Sequence, residues 1–204
     1  MSLSALIITY NEEHNIGPVI ENLDIADEII IVDSFSTDET TRIATTYNNV
    51  TVVQHPFENY ATQRNYAISL AQNPWILFLD ADERLTEELK KEILKTIQLK
   101  DAFSAYYFYR TFMFKNTKLH FSGWQTDKIF RLFKKEKAQY PLQKIVHEKL
   151  VVNGTTGKLK NKLIHFSYKD YSSYKQKMVY YGKLKAIEEF NKGTKPSFFH
   201  FYIR

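Results

Sequence analysis

Residues 75–83 read Trp-Ile-Leu-Phe-Leu-Asp-Ala-Asp-Glu, five apolar side chains running straight into three carboxylates. A short apolar run of this kind predicts a strand buried on both faces, as in parallel sheets covered by helices. Working outward, LSALIIT at 3–9, EIIIV at 28–32 and VTVV at 50–53 predict three more. Helical signals lie between them. Residues 15–26 place Ile16, Val19, Ile20 and Leu23 at helical spacing, and Pro18 is tolerated in a first turn. Ser36-Thr-Asp-Glu39 reads as a capping box that opens a helix to about residue 47. Asn59 heads a helix to about residue 72, and Thr86 heads another in which Glu87 and Glu88 precede Lys90, Lys91 and Lys95, as the helix dipole favours. The alternation predicts an α/β fold.

Ligands of such sheets bind outside the carboxyl ends of the strands. The residues there are 10–13 (YNEE), 33–38 (DSFSTD), His55 and 80–83 (DADE), an acidic rim without glycine. Neither a dinucleotide glycine loop nor a P-loop is present. Asp80 and Asp82 alternate, so in extended chain they point the same way. Hard carboxylate oxygens suit Mg²⁺ or Mn²⁺, and an ion there could bridge the phosphates of a nucleotide diphosphate. Asp33 ends a buried strand and could accept a hydrogen bond from a base imide or a ribose hydroxyl. Tyr10 can stack on a base, Glu12 can reach the same pocket, and Arg64 can lean over the rim toward phosphate or base. The bland alternatives are a helix-capping turn for the acids and a surface cation for Arg64.

The rest of the chain is a different electrostatic object. Of 204 residues, 28 are Lys or Arg and 23 are Asp or Glu, a net charge of +5. Residues 1–100 hold 7 of the basic and 16 of the acidic groups, a net of −9, and residues 101–204 carry +14 with 23 of the 31 aromatics. Residues 1–100 therefore read as an acidic half joined, in the same domain, to a basic, aromatic half at 101–204. Strands are predicted at 105–110, 119–122, 128–133, 145–150 and 159–166, a turn at 153–157, and a helix from Asp170 to about 190. The absence of Cys excludes a disulfide scaffold, a zinc ribbon and a thiol nucleophile. No apolar run reaches the roughly 20 residues of a membrane span. The start of the chain carries no visible signal peptide, and the apolar residues 197–204 predict either a longer natural chain or a docked end.

The series ITYNEE (8–13), VDSFSTDET (32–40), QRNYA (63–67), ILFLDADE (76–83), RLF (131–133), VHE (146–148) and HFSY (165–168) resembles bacterial family 2 glycosyltransferases. It is most similar to the subgroup of lipopolysaccharide core glucosyltransferases, and the likeness covers about residues 3–190. The resemblance implies a GT-A fold, an α/β protein with a mixed, mainly parallel sheet, and an inverting sugar transfer from a nucleotide-diphosphate sugar, UDP-hexose above others. It implies that Thr9, Tyr10, Glu12, Asp33, Arg64, Asp80 and Ala81 hold the nucleotide sugar, with Asp82, Asp80 and His147 at the metal. Many members carry a Glu-Asp pair on a helix of the acceptor half, and this chain lacks it. Inversion needs one carboxylate to take the acceptor proton. Glu148 is the first choice, Asp127 the second, and Trp124 is a candidate floor for the acceptor sugar.

The implied acceptor is a saccharide or lipid-linked saccharide of cell-envelope synthesis. The implied location is cytoplasmic, with the basic half against the inner face of the inner membrane. Two rivals fit parts of the sequence. LFLDADERL superficially matches phosphohydrolases that form an aspartyl phosphate, although those place the motif on their first strand. A non-catalytic nucleotide-sugar-binding module is the other. The acidic half argues against nucleic acid as a partner.

Overall fold

The computed structural model describes residues 2–120, 126–142, 149–168, 170–191 and 193–194. Four strands, β1 (Leu3–Thr9), β2 (Glu28–Asp33), β3 (Val50–Gln54) and β4 (Trp75–Asp80), run parallel in the order β3-β2-β1-β4. Connecting them are α1 (Glu13–Asn22), α2 (Thr40–Ala44) and α3 (Tyr60–Leu70), and β4 is followed by β5 (Glu83–Arg84) and α4 (Glu87–Ile97). β1 has β2 on one side and β4 on the other. Its carboxyl end is therefore the switch point of the sheet, where open α/β sheets bind ligands.

The period of two along each strand sorts the core into layers. Leu3, Ala5, Ile7, Ile29, Ile31, Trp75, Leu77 and Leu79 pack with α1 and α4 through Ile16, Val19, Leu89 and Ile93. Leu6, Ile30, Val32, Ile76 and Phe78 face Ala61, Ala67 and Ile68 of α3. Asp80 follows the phase of Ile76 and Phe78, which carries it toward α3.

The second half extends the same sheet. β6 (Ala105–Phe114) turns through Lys115-Asn116 into β7 (Thr117–Lys118), and β8 (Lys128–Lys134) lies antiparallel between β4 and β6. A single 3₁₀ turn leads to β9 (Ala138–Gln139), which pairs with β10 (Val151–Val152). β11 (Thr156–Lys158) and β12 (Leu163–Tyr168) run parallel to β6, and β12 pairs antiparallel with β5. α5 (Tyr171–Asn191) meets β12 at the edge-on rings of Tyr174 and Tyr168, 5.0 Å apart. The sheet is mixed and mainly parallel, as expected.

Boundaries moved where side chains found other partners. The helix expected from residue 36 begins at Thr40, because the Ser36 backbone N–H and hydroxyl both bond Asp33 instead of forming the capping box. α1 starts two residues early, at Glu13, and stops at Asn22, whose amide pairs with the Leu85 backbone. Asn59 and Thr86 cap as read, accepting from Thr62 N at 2.9 Å and Leu89 N at 3.2 Å. β6 runs four residues past its expected end, and its hairpin falls before residue 119. Residues 121–122 of the expected 119–122 strand and residues 145–148 of the 145–150 strand lie outside the described residues. The expected turn at 153–157 shortens, since 156–158 form β11.

Candidate active site

The loop after β4 holds the densest charge. Asp80 meets Arg131 of β8, whose side chain has no exposure, and Arg131 Nη2 also donates to Glu83, which is equally buried, at 2.8 Å. Asp80 N donates to Glu83 Oε2 at 3.0 Å, so the second carboxylate also shapes the turn. Arg64 of α3 comes within 3.8 Å of Asp80 Oδ1 while stacking against Tyr60, Phe78 and Tyr140. Burial pushes the Asp80 carboxyl up, but Arg131 and then Arg64 outweigh it and hold it well below the usual range. Burial wins at Glu83 and raises its carboxyl despite Arg131.

Asp82 turns elsewhere. Its Oδ2 lies 3.1 Å from His165 Nε2 on β12, and the His165 Nδ1 is buried without a hydrogen-bond partner. The Phe166 N–H donates to the Asp82 carbonyl at 2.9 Å. Arg84 donates to the carbonyls of Ala81, Glu83 and Asn15 at 2.6, 2.7 and 3.0 Å, which ties the loop to α1. The two acids of the motif thus meet different partners, because the chain leaves extended geometry after Asp80.

At the ends of β1 and β2, Tyr10 is 58% exposed and Thr9 is buried with its hydroxyl unpartnered. Asn11 and Phe35 both adopt left-handed backbone, at φ 54° and 59°, a strain that concentrates at functional sites. Asn11 N donates to Ser36 Oγ and Asn11 Oδ1 accepts from Thr37 N, both at 2.8 Å, so the two loops are stitched together. Asp33 is fully buried and accepts from Ser36 N at 2.8 Å and from the Ser36 hydroxyl. Glu12 Oε2 accepts from Asn15 Nδ2 at 2.6 Å. Below this rim the buried Gln63 amide joins His55 and Ser34.

Asp127 bonds Arg110 of β6, Nε to Oδ2 at 3.0 Å, and Arg110 Nη1 reaches Glu83 Oε1 at 3.5 Å. Asp33, Arg64, Asp80, Ala81, Asp82 and the β1 end with Thr9, Tyr10 and Glu12 therefore share one edge of the sheet. Trp124, His147 and Glu148 lie outside the described residues. Sequence reasoning put Glu83 on the acidic rim without a role, named His165 only within the HFSY segment, and missed Arg110 and Arg131. The signal for Arg131 was present: an arginine inside the apolar strand KIFRLF, in phase with the core, requires buried carboxylates.

The sequence profile described as Glycosyl transferase family 2 matches residues 4–179, and the chain belongs to that family. It is 30% identical to the lipopolysaccharide core biosynthesis glycosyltransferase LpsC of Rhizobium meliloti, over 98% of this chain and 76% of that protein. Among solved structures it resembles S. aureus TarS 1–349 with TM-score 0.61 and 18% identity, over 82% of this chain and 61% of that one. It also resembles TarS 1–349 in complex with UDP-GlcNAc, with TM-score 0.54 and 17% identity, over 79% of this chain and 59% of that one. The chain thus spans under two thirds of the TarS chain, and its fold is GT-A.

Proposed function

We propose that the protein is an inverting glycosyltransferase that moves a hexose from a UDP-activated donor to a saccharide or lipid-linked saccharide of the cell envelope. The observation that carries this reading is the divided D-x-D loop, with Asp80 held charged by two arginines and Asp82 set beside His165. LpsC, named for lipopolysaccharide core biosynthesis, and TarS, solved with UDP-GlcNAc, support the acceptor and donor classes.

Residues 1–100 take the donor and residues 101–204 the acceptor in this reading. Tyr10 stacks on the base. Asp33 keeps acceptor capacity beyond its two Ser36 bonds, since a carboxylate offers about four lone-pair sites. Asp80, fixed by Arg131 and Arg64, accepts from the ribose, which removes it from the metal set.

Among the described residues no group of three or more His, Asp or Glu is placed to hold a metal ion. Asp82 and His165, 3.1 Å apart, are nevertheless the described residues that would hold Mg²⁺ or Mn²⁺, through a carboxylate oxygen and an imidazole nitrogen. Bound there, the ion supplies positive charge against the departing diphosphate.

The acceptor hydroxyl oxygen bonds to C1 as the C1–O bond to the diphosphate breaks. Its proton passes to Glu148, preferred because Asp127 is tied to Arg110. A single displacement inverts C1. No helix among the described residues is long and apolar enough to cross a membrane. The reading places the enzyme at the cytoplasmic face, where the basic half meets anionic lipid.

The test is transfer and slow hydrolysis of UDP-hexoses with and without Mn²⁺. Asp82→Asn should lose about a hundredfold or more of turnover and its metal-dependent UDP affinity, with an unchanged unfolding midpoint. Full turnover in that variant would remove the metal role, and no turnover of any nucleotide sugar by the wild type would remove the transferase reading.

A further inference from the structure

A cavity of about 550 Å³ opens between the first turn of α1, β5, β12 and the β6–β7 turn. That volume is within the ~300–1,000 Å³ of small-ligand sites. Arg84 and Lys115 supply its positive charge, His14 an imidazole, Phe166 and Tyr168 its aromatic wall, and Asn116 an amide. Among the described residues no carboxylate lines it. Acids adjoin its lining without entering it: Glu13 is 3.6 Å from His14, Glu12 and Asp82 act on Arg84, and Asp170 interacts with Lys115.

Lys115 makes the arrangement more than a basic surface. It sits at φ 53°, left-handed backbone that favours glycine, with its N–H donating to the Tyr168 carbonyl at 2.8 Å. A hairpin alone would be met more cheaply by glycine. Lysine at this position instead lines the cavity at a cost in backbone conformational energy. The Phe166–Asp82 backbone bond and the start of α1 just after Glu12 set the cavity against the donor edge.

We propose that this cavity binds a sugar carrying a phosphate or carboxylate. Arg84 and Lys115 take the anion, Phe166 and Tyr168 pack against the ring, and Asn116 meets a hydroxyl. That this sugar belongs to the acceptor rests on the transferase reading; the binding itself does not.

The test is calorimetric titration of the full chain at constant ionic strength, without donor, using glucose 6-phosphate, glucuronate, glucose and inorganic phosphate. At least one charged sugar should bind tenfold or more tighter than both glucose and inorganic phosphate. Lys115→Gly should weaken it at least fivefold without lowering the unfolding midpoint, because glycine suits that backbone, and should leave UDP affinity unchanged. Equal binding of charged and neutral sugars, no binding of any, phosphate matching glucose 6-phosphate, an unaffected Lys115→Gly, or loss of UDP affinity in that variant would each overturn the proposal. Failure of UDP to bind the wild type would strike the transferase reading alone and leave the sugar result standing.

Discussion

A guanidinium shut away from solvent keeps its charge only against carboxylates, and Arg131 has two, from positions 80 and 83. Removing one member of such a buried pair strands the other. Arg131→Met should therefore cost about 3–5 kcal/mol, measured by urea unfolding; a loss below about 1 kcal/mol would show that water replaces the partner. The pH dependence follows from the depressed Asp80. Its carboxyl lies below the ordinary 3.8 when folded, so its contribution is complete above that value and is lost as pH falls through the folded one. Glu83, raised above 4.5, works in the opposite sense. Asp80→Asn should flatten the decline of unfolding free energy between about pH 4 and pH 2, and an unchanged slope would assign acid sensitivity elsewhere. The carboxylates were legible in DADE because they end a run of apolar residues. Their arginine was not, because the pair joins positions 51 apart and no local pattern names a distant partner.

At the scale of elements, local chemistry predicted the Asn59 and Thr86 caps, and tertiary competition displaced the one at Ser36. Asn59→Ala should cost about 1 kcal/mol in thermal or urea unfolding, since its side chain satisfies Thr62 N. Gly157 shows how a punctuation residue misleads. It reads as a turn, yet it lies in β11 with ordinary backbone. A Cβ there would stand 2.4 Å from Phe103 and 2.8 Å from Tyr106. The glycine is a packing requirement, and Gly157→Ala should cost about 1–3 kcal/mol by the same measurement. A neutral result would mean that the two rings shift freely. β1, β2 and β4 were legible because burial on both faces leaves unbroken apolar runs, and the half-exposed edge strand β3 from its valines and threonine. The antiparallel insertion of β8 was not, because a strand's sequence does not state its neighbour.

For the whole molecule, the −9 and +14 halves are joined by Arg131 and Arg110, which cross from the basic half to Asp80 and Glu83 in the acidic one. The halves are unequal in charge yet incomplete apart. Residues 1–100 expressed alone would leave the β4 edge open and the buried Glu83 without either of its arginines. That fragment should show no cooperative thermal transition, and a cooperative one would establish it as a domain of its own. The position of β8 also has a consequence for biosynthesis. β4 must wait for a partner strand made about fifty residues later, so a nascent chain on the ribosome carries an unpaired apolar edge through that interval. Closure of the sheet, and with it the delivery of Arg131 to Asp80, follows the synthesis of β8, so the acidic edge is complete only some fifty residues after its own carboxylates are made.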